Sequence, residues 1–139
     1  MKKAIKRTIN IIVDIVVVLI LIVSIIVVML SLTSKSSGVP NIFGIAPLSV
    51  QTESMKGTVD PGDLIFCTLT EIDDEFQKDD VVTFPIEING EQVLNTHRIL
   101  EVVEDNNITY YRTKGDNKET NREPDTDLQT SSTIVAKYT

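Results

Sequence analysis

From Ile15 to Leu32 the chain reads IVVVLILIVSIIVVMLSL, 18 residues without a charge. As a helix such a run is about 27 Å long, and Ile11 to Val13 on the far side of Asp14 extend it toward the roughly 30 Å of a bilayer's hydrocarbon core. It reads as a membrane-spanning helix over residues 9–32. Lys2, Lys3, Lys6 and Arg7 precede it. Their charge selects the cytoplasmic side for the N-terminus and puts everything after Leu32 outside the cytoplasm. A cleaved signal peptide is the rival reading. The apolar run exceeds a typical h-region of about 7 to 15 residues, and no small-x-small site follows it closely. Asp14 sits near the cytoplasmic end of the span, where it reaches the headgroup region.

Past that helix the chain is acidic. Residues 15–139 contain 9 basic and 19 acidic side chains, a balance that disfavours nucleic acid as a partner. The charges alternate with Val, Ile, Leu and Thr, as on a solvated surface. Cys67 is the sole cysteine, so no intrachain disulfide forms. With His97 as its only companion it makes no metal-ligand cluster, and neither a metal nor a cofactor is expected. A small buried apolar residue in a strand is the role that suits it.

Residues 1–8 form the cytoplasmic stub, 9–32 the span and 33–40 a linker marked by SKSSGVP, leaving 41–139 as the extracytoplasmic domain. Within it β-branched and aromatic runs recur: LIFCTLT from Leu64, VVTFPIEI from Val81, QVLNTHRILEVV from Gln92, ITYYRTKG from Ile108 and STIVAKY near the end. Asn89-Gly90 between two of them is a hairpin signal, and Asp105-Asn106-Asn107 supplies a second turn. The expectation is a mainly β, antiparallel domain tethered to one N-terminal transmembrane helix.

One loop stands apart from these strands, TESMKGTVDPGDL from Thr52 to Leu64. Gly57 and Gly62 allow backbone conformations closed to other residues, and Pro61 fixes its own φ, so the loop can hold the Ser54 hydroxyl outward. Serine needs a base, because its hydroxyl is almost wholly protonated at neutral pH. His97, in NTHRIL, is the only histidine and offers an imidazole suited to that proton. Asp116 in TKGDN and Asp125 in EPDTD follow it by 19 and 28 residues. Either could orient the ring and stabilise the imidazolium.

At these residues the chain resembles the type I signal peptidases, in the endoplasmic-reticulum-type branch found in eukaryotes, archaea and some Gram-positive bacteria. TESMKGTVDPGDLI looks like the nucleophile box, DVVTFP like the strand after it, and THRI and YYRTKGDN like the last two boxes. The resemblance implies a β catalytic domain of the signal-peptidase/LexA-like type, with Ser54 as nucleophile, His97 as general base and Asp116 and Asp125 as acids of the final box. Thr52, together with the Ser54 N–H, becomes the candidate oxyanion hole. Histidine at 97 marks the branch, since the bacterial branch has lysine there. The implied activity is cleavage of N-terminal signal peptides from translocated preproteins by a single-pass protein of the cell membrane. The implied partners are signal peptides of exported preproteins and the lipid bilayer, with room for association with the translocation machinery.

Gly57 departs from the family, which usually has proline after Ser-Met-x. Asp125 comes nine positions after Asp116, more than the family commonly shows, so the acidic partner stays open between them and even Asp127. Many relatives continue into a second span past the point where this sequence stops at Thr139, and whether one belongs here is open. IFGIAPLSV, Ile42 to Val50, is a candidate strand beside the substrate, or else membrane-surface or core packing. The LexA-like self-cleaving repressors need a lysine base, and between Lys56 and His97 only Lys78 occurs, in the acidic turn FQKDD. A non-catalytic alternative is a membrane-anchored β domain that binds an extracytoplasmic partner, with Ser54 and His97 structural.

Overall fold

The computed structural model describes residues 2–139, with side chains described for residues 6–32 and 38–139. Two compact units follow one another along the chain, the first ending at Ile42 and the second running from Phe43 to Thr139.

The first unit is one helix, α1, Lys2–Ser37. Its segment Lys6–Leu32, 27 residues with mean hydropathy 3.6, is long and apolar enough to cross a membrane. Val and Ile dominate it although β-branching lowers helix propensity. In lipid a single segment can satisfy its own backbone N–H and C=O groups only as a helix, which overrides that preference. Apolar side chains cover all its sides, as lipid contact requires. The hydroxyls of Ser24 and Ser31 donate back to the carbonyls of Ile20 and Val27 at 2.8 and 2.9 Å, leaving neither donor unmatched. The backbone stays helical to Ser37, within the stretch assigned to the linker from composition, and Gly38 at φ 72° closes it in the left-handed conformation. The Lys2 and Lys3 side chains invoked for orientation lie outside the described residues.

The second unit is a six-stranded antiparallel sheet. Its strands are β1 Ile45–Ser49, β2 Leu64–Leu69, β3 Val81–Ile88, β4 Glu91–Asp105, β5 Ile108–Lys114 and β6 Ala136–Tyr138, in spatial order β1-β2-β6-β3-β4-β5. The two tight turns follow from their residues. Asn89 and Gly90 take φ 54° and 84°, and Asn106 and Asn107 take 49° and 66°, the pairs of positive φ that a two-residue hairpin turn needs. At 15 residues β4 is long enough to pair with β3 through its first half and β5 through its second, with an irregularity between Ile99 and Glu101. Only the end of STIVAKY is strand. Ile134 instead buries in the core, and the Val135 N–H donates to the Thr83 carbonyl at 2.8 Å.

Alternation along β3 divides the core in two. Val81 packs with Met55, Val59, Ile65, Cys67 and Ala136, while its neighbour Val82 packs with Phe76, Phe84, Ile99, Tyr111 and Ile134. Cys67 is fully buried in β2. The register carries this division onto β4, where Val82 is opposite His97 and Val81 opposite Arg98. Paired residues share a face of the sheet, so His97 and Arg98 belong to different ones.

Candidate active site

Ser54 stands on one turn of 3₁₀ helix, Glu53–Met55, between β1 and β2. The Lys56 N–H closes the turn on the Glu53 carbonyl at 3.1 Å, and buried Met55 ties it to the core. The loop then passes through Gly57 at φ 101° and Gly62 at φ 97°. Proline holds φ near about −65°, so the residue usual at position 57 in the resembling family could not adopt this backbone. The Ser54 Oγ lies 3.3 Å from Thr52 Oγ1, bringing together the proposed nucleophile and the side chain of the proposed oxyanion pair.

His97 is buried, with 4% of its surface exposed. Its Nδ1 is 2.7 Å from Asp125 Oδ2, which also accepts the Thr113 hydroxyl at 2.6 Å. The Asp125 N–H donates to the Thr113 carbonyl at 2.8 Å, so β5 holds this carboxylate through both its side chain and its backbone. An ionised carboxylate only accepts, which puts the proton on Nδ1 and leaves the lone pair of the neutral ring on Nε2. Among the described residues Nε2 is buried and has no hydrogen-bond partner. Burial pushes the Asp125 carboxyl up, but the bonds from His97 and Thr113, with the attraction of the ring whenever it is protonated, outweigh it and hold the group below its ordinary range.

Asp116 goes elsewhere. Arg98 grips it bidentately, Nε to Oδ1 at 2.9 Å and Nη2 to Oδ2 at 2.7 Å, and the Thr58 hydroxyl donates to Oδ2. The Arg98 bonds lower its carboxyl most, against a smaller upward push from burial. Arg98 also donates from Nη1 to the Asp79 carbonyl at 2.8 Å. Asp127 is exposed and offers its carbonyl to the Gln129 amide. Of the three aspartates left open by the sequence, it is Asp125 that is hydrogen-bonded to His97. Ser54 and His97 are not joined directly, since the Ser54 hydroxyl pairs with Thr52. β4 nevertheless packs against the 3₁₀ turn, and Ser54 and Thr52 share a groove with Asn95 and Thr96 of β4.

That groove holds about 510 Å³ and is mostly apolar, with Leu48, Val50, Ile86, Ile88, Val93 and Leu94 among its walls. The Ile42–Val50 stretch divides its roles. Leu48 and Val50 line the groove, Ala46 is core, and Phe43 and Ile45 are exposed. A second cavity, about 440 Å³ on the Arg98–Asp116 side, includes neither Ser54 nor His97.

Two residues of TKGDN besides Asp116 also reach the serine turn. The Asn117 N–H donates to the Ser54 carbonyl and its Nδ2 to the Glu53 carbonyl, both at 2.9 Å. Gly115 lies directly against the Ser54 carbonyl. The motif pointed only to its acid, and the glycine and asparagine flanking that acid were the unused signal.

A hydroxyl on a tight turn, a buried imidazole bonded to a carboxylate and an apolar groove beside the hydroxyl are the parts from which serine-dependent acyl transfer is built. The chain is 35% identical over 109 residues to Signal peptidase I W of Bacillus subtilis (strain 168), an alignment covering 77% of this chain and 53% of that protein. This similarity relates the chain to the type I signal peptidases, and the chain spans about half the length of the curated relative it matches. No family model matches, and no solved structure matches.

Proposed function

We propose that this chain is a membrane-bound serine endopeptidase of the endoplasmic-reticulum-type branch that removes N-terminal signal peptides from translocated preproteins. The observation that carries the proposal is the bond from buried His97 to half-buried Asp125, which at Nδ1 leaves Nε2 as the basic nitrogen. In this reading Ser54 Oγ attacks the scissile carbonyl as His97 takes its proton. Asp125 holds the ring and stabilises the imidazolium, and His97 then protonates the leaving amine. Thr52 Oγ1 and the Ser54 N–H receive the oxyanion, and water hydrolyses the acyl-enzyme. Asp116 acts through Arg98 and Thr58 as a brace for the serine loop.

The mostly apolar groove beside Ser54 supports a substrate with apolar side chains before the cut, and the family resemblance implies small ones. α1 crosses the membrane with its basic N-terminus in the cytoplasm and the β domain outside. A preprotein held in the bilayer by its own apolar segment then meets the enzyme at raised effective concentration, near the translocation machinery.

Incubating the detergent-solubilised chain with a preprotein and sequencing the new N-terminus tests the proposal. Ser54→Ala should abolish the cut without unfolding the domain, because a half-buried hydroxyl leaves no core cavity. A correctly folded Ser54→Ala protein that cuts at the wild-type rate would remove Ser54 as nucleophile. The alternative, an anchored β domain that binds a partner without catalysis, draws on the Ser54 hydroxyl pairing with Thr52 instead of His97.

A further inference from the structure

We infer that Asn117 is a positioning residue that aims the oxyanion-binding N–H of Ser54 from behind, an inference that rests on the peptidase reading above. Its contacts fall on two consecutive peptide units. Asn117 Nδ2 donates to the Glu53 carbonyl at 2.9 Å, and the Asn117 N–H donates to the Ser54 carbonyl at 2.9 Å. The Glu53 carbonyl and the Ser54 N–H belong to one planar trans unit and point in opposite directions. Fixing the carbonyl therefore fixes the N–H, directed away from Asn117. Polarisation adds to this, since a hydrogen bond accepted by the carbonyl makes the N–H of the same unit a stronger donor.

The amide orientation is set by its own neighbours. Asn117 Oδ1 accepts the Glu119 N–H at 3.0 Å, so Nδ2 must be the end that faces Glu53. Asn117 is 9% exposed, which shields these bonds from competing water. The Asn121 N–H donates to the Asn117 carbonyl at 2.8 Å and anchors the segment from the other side. Gly115 completes the seat, because a Cβ there would come within 2.6 Å of both the Ser54 carbonyl oxygen and Asn121 Cγ. No real Cβ contact is that short, so a side chain at 115 must push the serine turn or its support away.

The test uses the full chain in detergent and a preprotein-derived peptide cut at one site. Asn117→Ala should lower kcat on the order of 10- to 100-fold with KM within about twofold, less than the roughly 100- to 1000-fold of losing an oxyanion donor outright. Asn117→Asp keeps the acceptor for Glu119 but turns a carboxylate onto the Glu53 carbonyl, and should lower kcat at least as far. In a double-mutant cycle with Thr52→Val the two losses should fall short of multiplying, because both act on one oxyanion. Gly115→Ala should reproduce the kcat effect without touching Asn117. Each rate is read well below the variant's own melting temperature, which separates aim from folding. Wild-type kcat in folded Asn117→Ala and Asn117→Asp, with Ser54→Ala inactive, would overturn this inference alone. Wild-type turnover by Ser54→Ala would overturn the peptidase reading and this inference with it.

Discussion

His97 and Arg98 are neighbours on β4, each bound to an aspartate from the same stretch of chain after β5, yet the two pairs serve different ends. His97 and Asp125 meet through one bond of 2.7 Å, with the His97 ring buried and its other nitrogen unpaired among the described residues. Arg98 and Asp116 meet through two bonds that consume the charge of both, with Thr58 and the Asp79 carbonyl taking up the rest. The first pair keeps a reactive atom in reserve and the second keeps none. A site that must move a proton is therefore expected on the His97 face, and a brace on the Arg98 face.

The change that most severely breaks this contrast is His97→Lys. Lysine is the bacterial branch's residue in the resembling family, but it is basic only where its pocket strongly depresses its pKa, and Asp125 beside it would hold it charged. Activity should fall on the order of 10⁵-fold, as after losing the base outright. Near-wild-type cleavage by the lysine variant would mean that Asp125 does not govern this position. Asp125→Asn comes next, with a loss on the order of 10³- to 10⁴-fold, because an amide no longer holds the productive tautomer. Asp116→Asn should lose far less activity. Equal losses from the two asparagine variants would erase the division of labour.

Strands β2 to β5 and both hairpin turns were legible in the sequence because β-branched runs and Asn-Gly or Asn-Asn pairs act locally, whereas the stretch holding β1 reads equally as packing and STIVAKY reads longer than β6. The serine's loop was legible through its glycines, though not the 3₁₀ turn, whose three residues are too short for periodicity to reveal. Spacing along the chain could not assign the acids. Asp116 and Asp125 lie in one irregular segment, and what sorts them is the alternation of β4, which needs the register with β3. The end of α1 was hidden for a different reason. Ser, Lys and Thr after Leu32 read as a linker, and a helix already propagating continues through such residues until a glycine stops it.

Stability sharpens the contrast at a smaller scale. Arg98 and Asp116 are 30% and 20% exposed, so losing the bidentate pair in Asp116→Asn should cost about 1.5 to 3 kcal/mol and lower the melting temperature of a domain this size by roughly 4 to 8 °C per kcal/mol. The same pair gives an acid signature. Asp116 and Asp125 titrate lower folded than unfolded, so between those values the unfolded chain binds more protons. Their contribution is complete above the ordinary carboxylate pKa near about 4 and is lost as pH falls below it through the lowered folded values. Melting temperature should fall with acidification below about pH 5, and less steeply in Asp116→Asn. An unchanged acid slope in that variant would show that Asp116 is not held low by Arg98.

The smallest effect belongs to a third pair, Glu101 and Arg112, which face each other across β4 and β5 at 2.6 Å. By distance alone it matches the other two. Its side chains are 51% and 36% exposed, however, so water screens the attraction and the ordering of two long side chains offsets most of what remains. Glu101→Gln should therefore change stability by less than about 1 kcal/mol and leave cleavage untouched, as read by urea unfolding and turnover. Raised salt should shrink even that difference, whereas the shielded Arg98–Asp116 pair should respond less. A loss in Glu101→Gln as large as in Asp116→Asn would show that contact length, not shielding, governs these pairs, and the separation drawn between a brace and a surface pair would no longer hold.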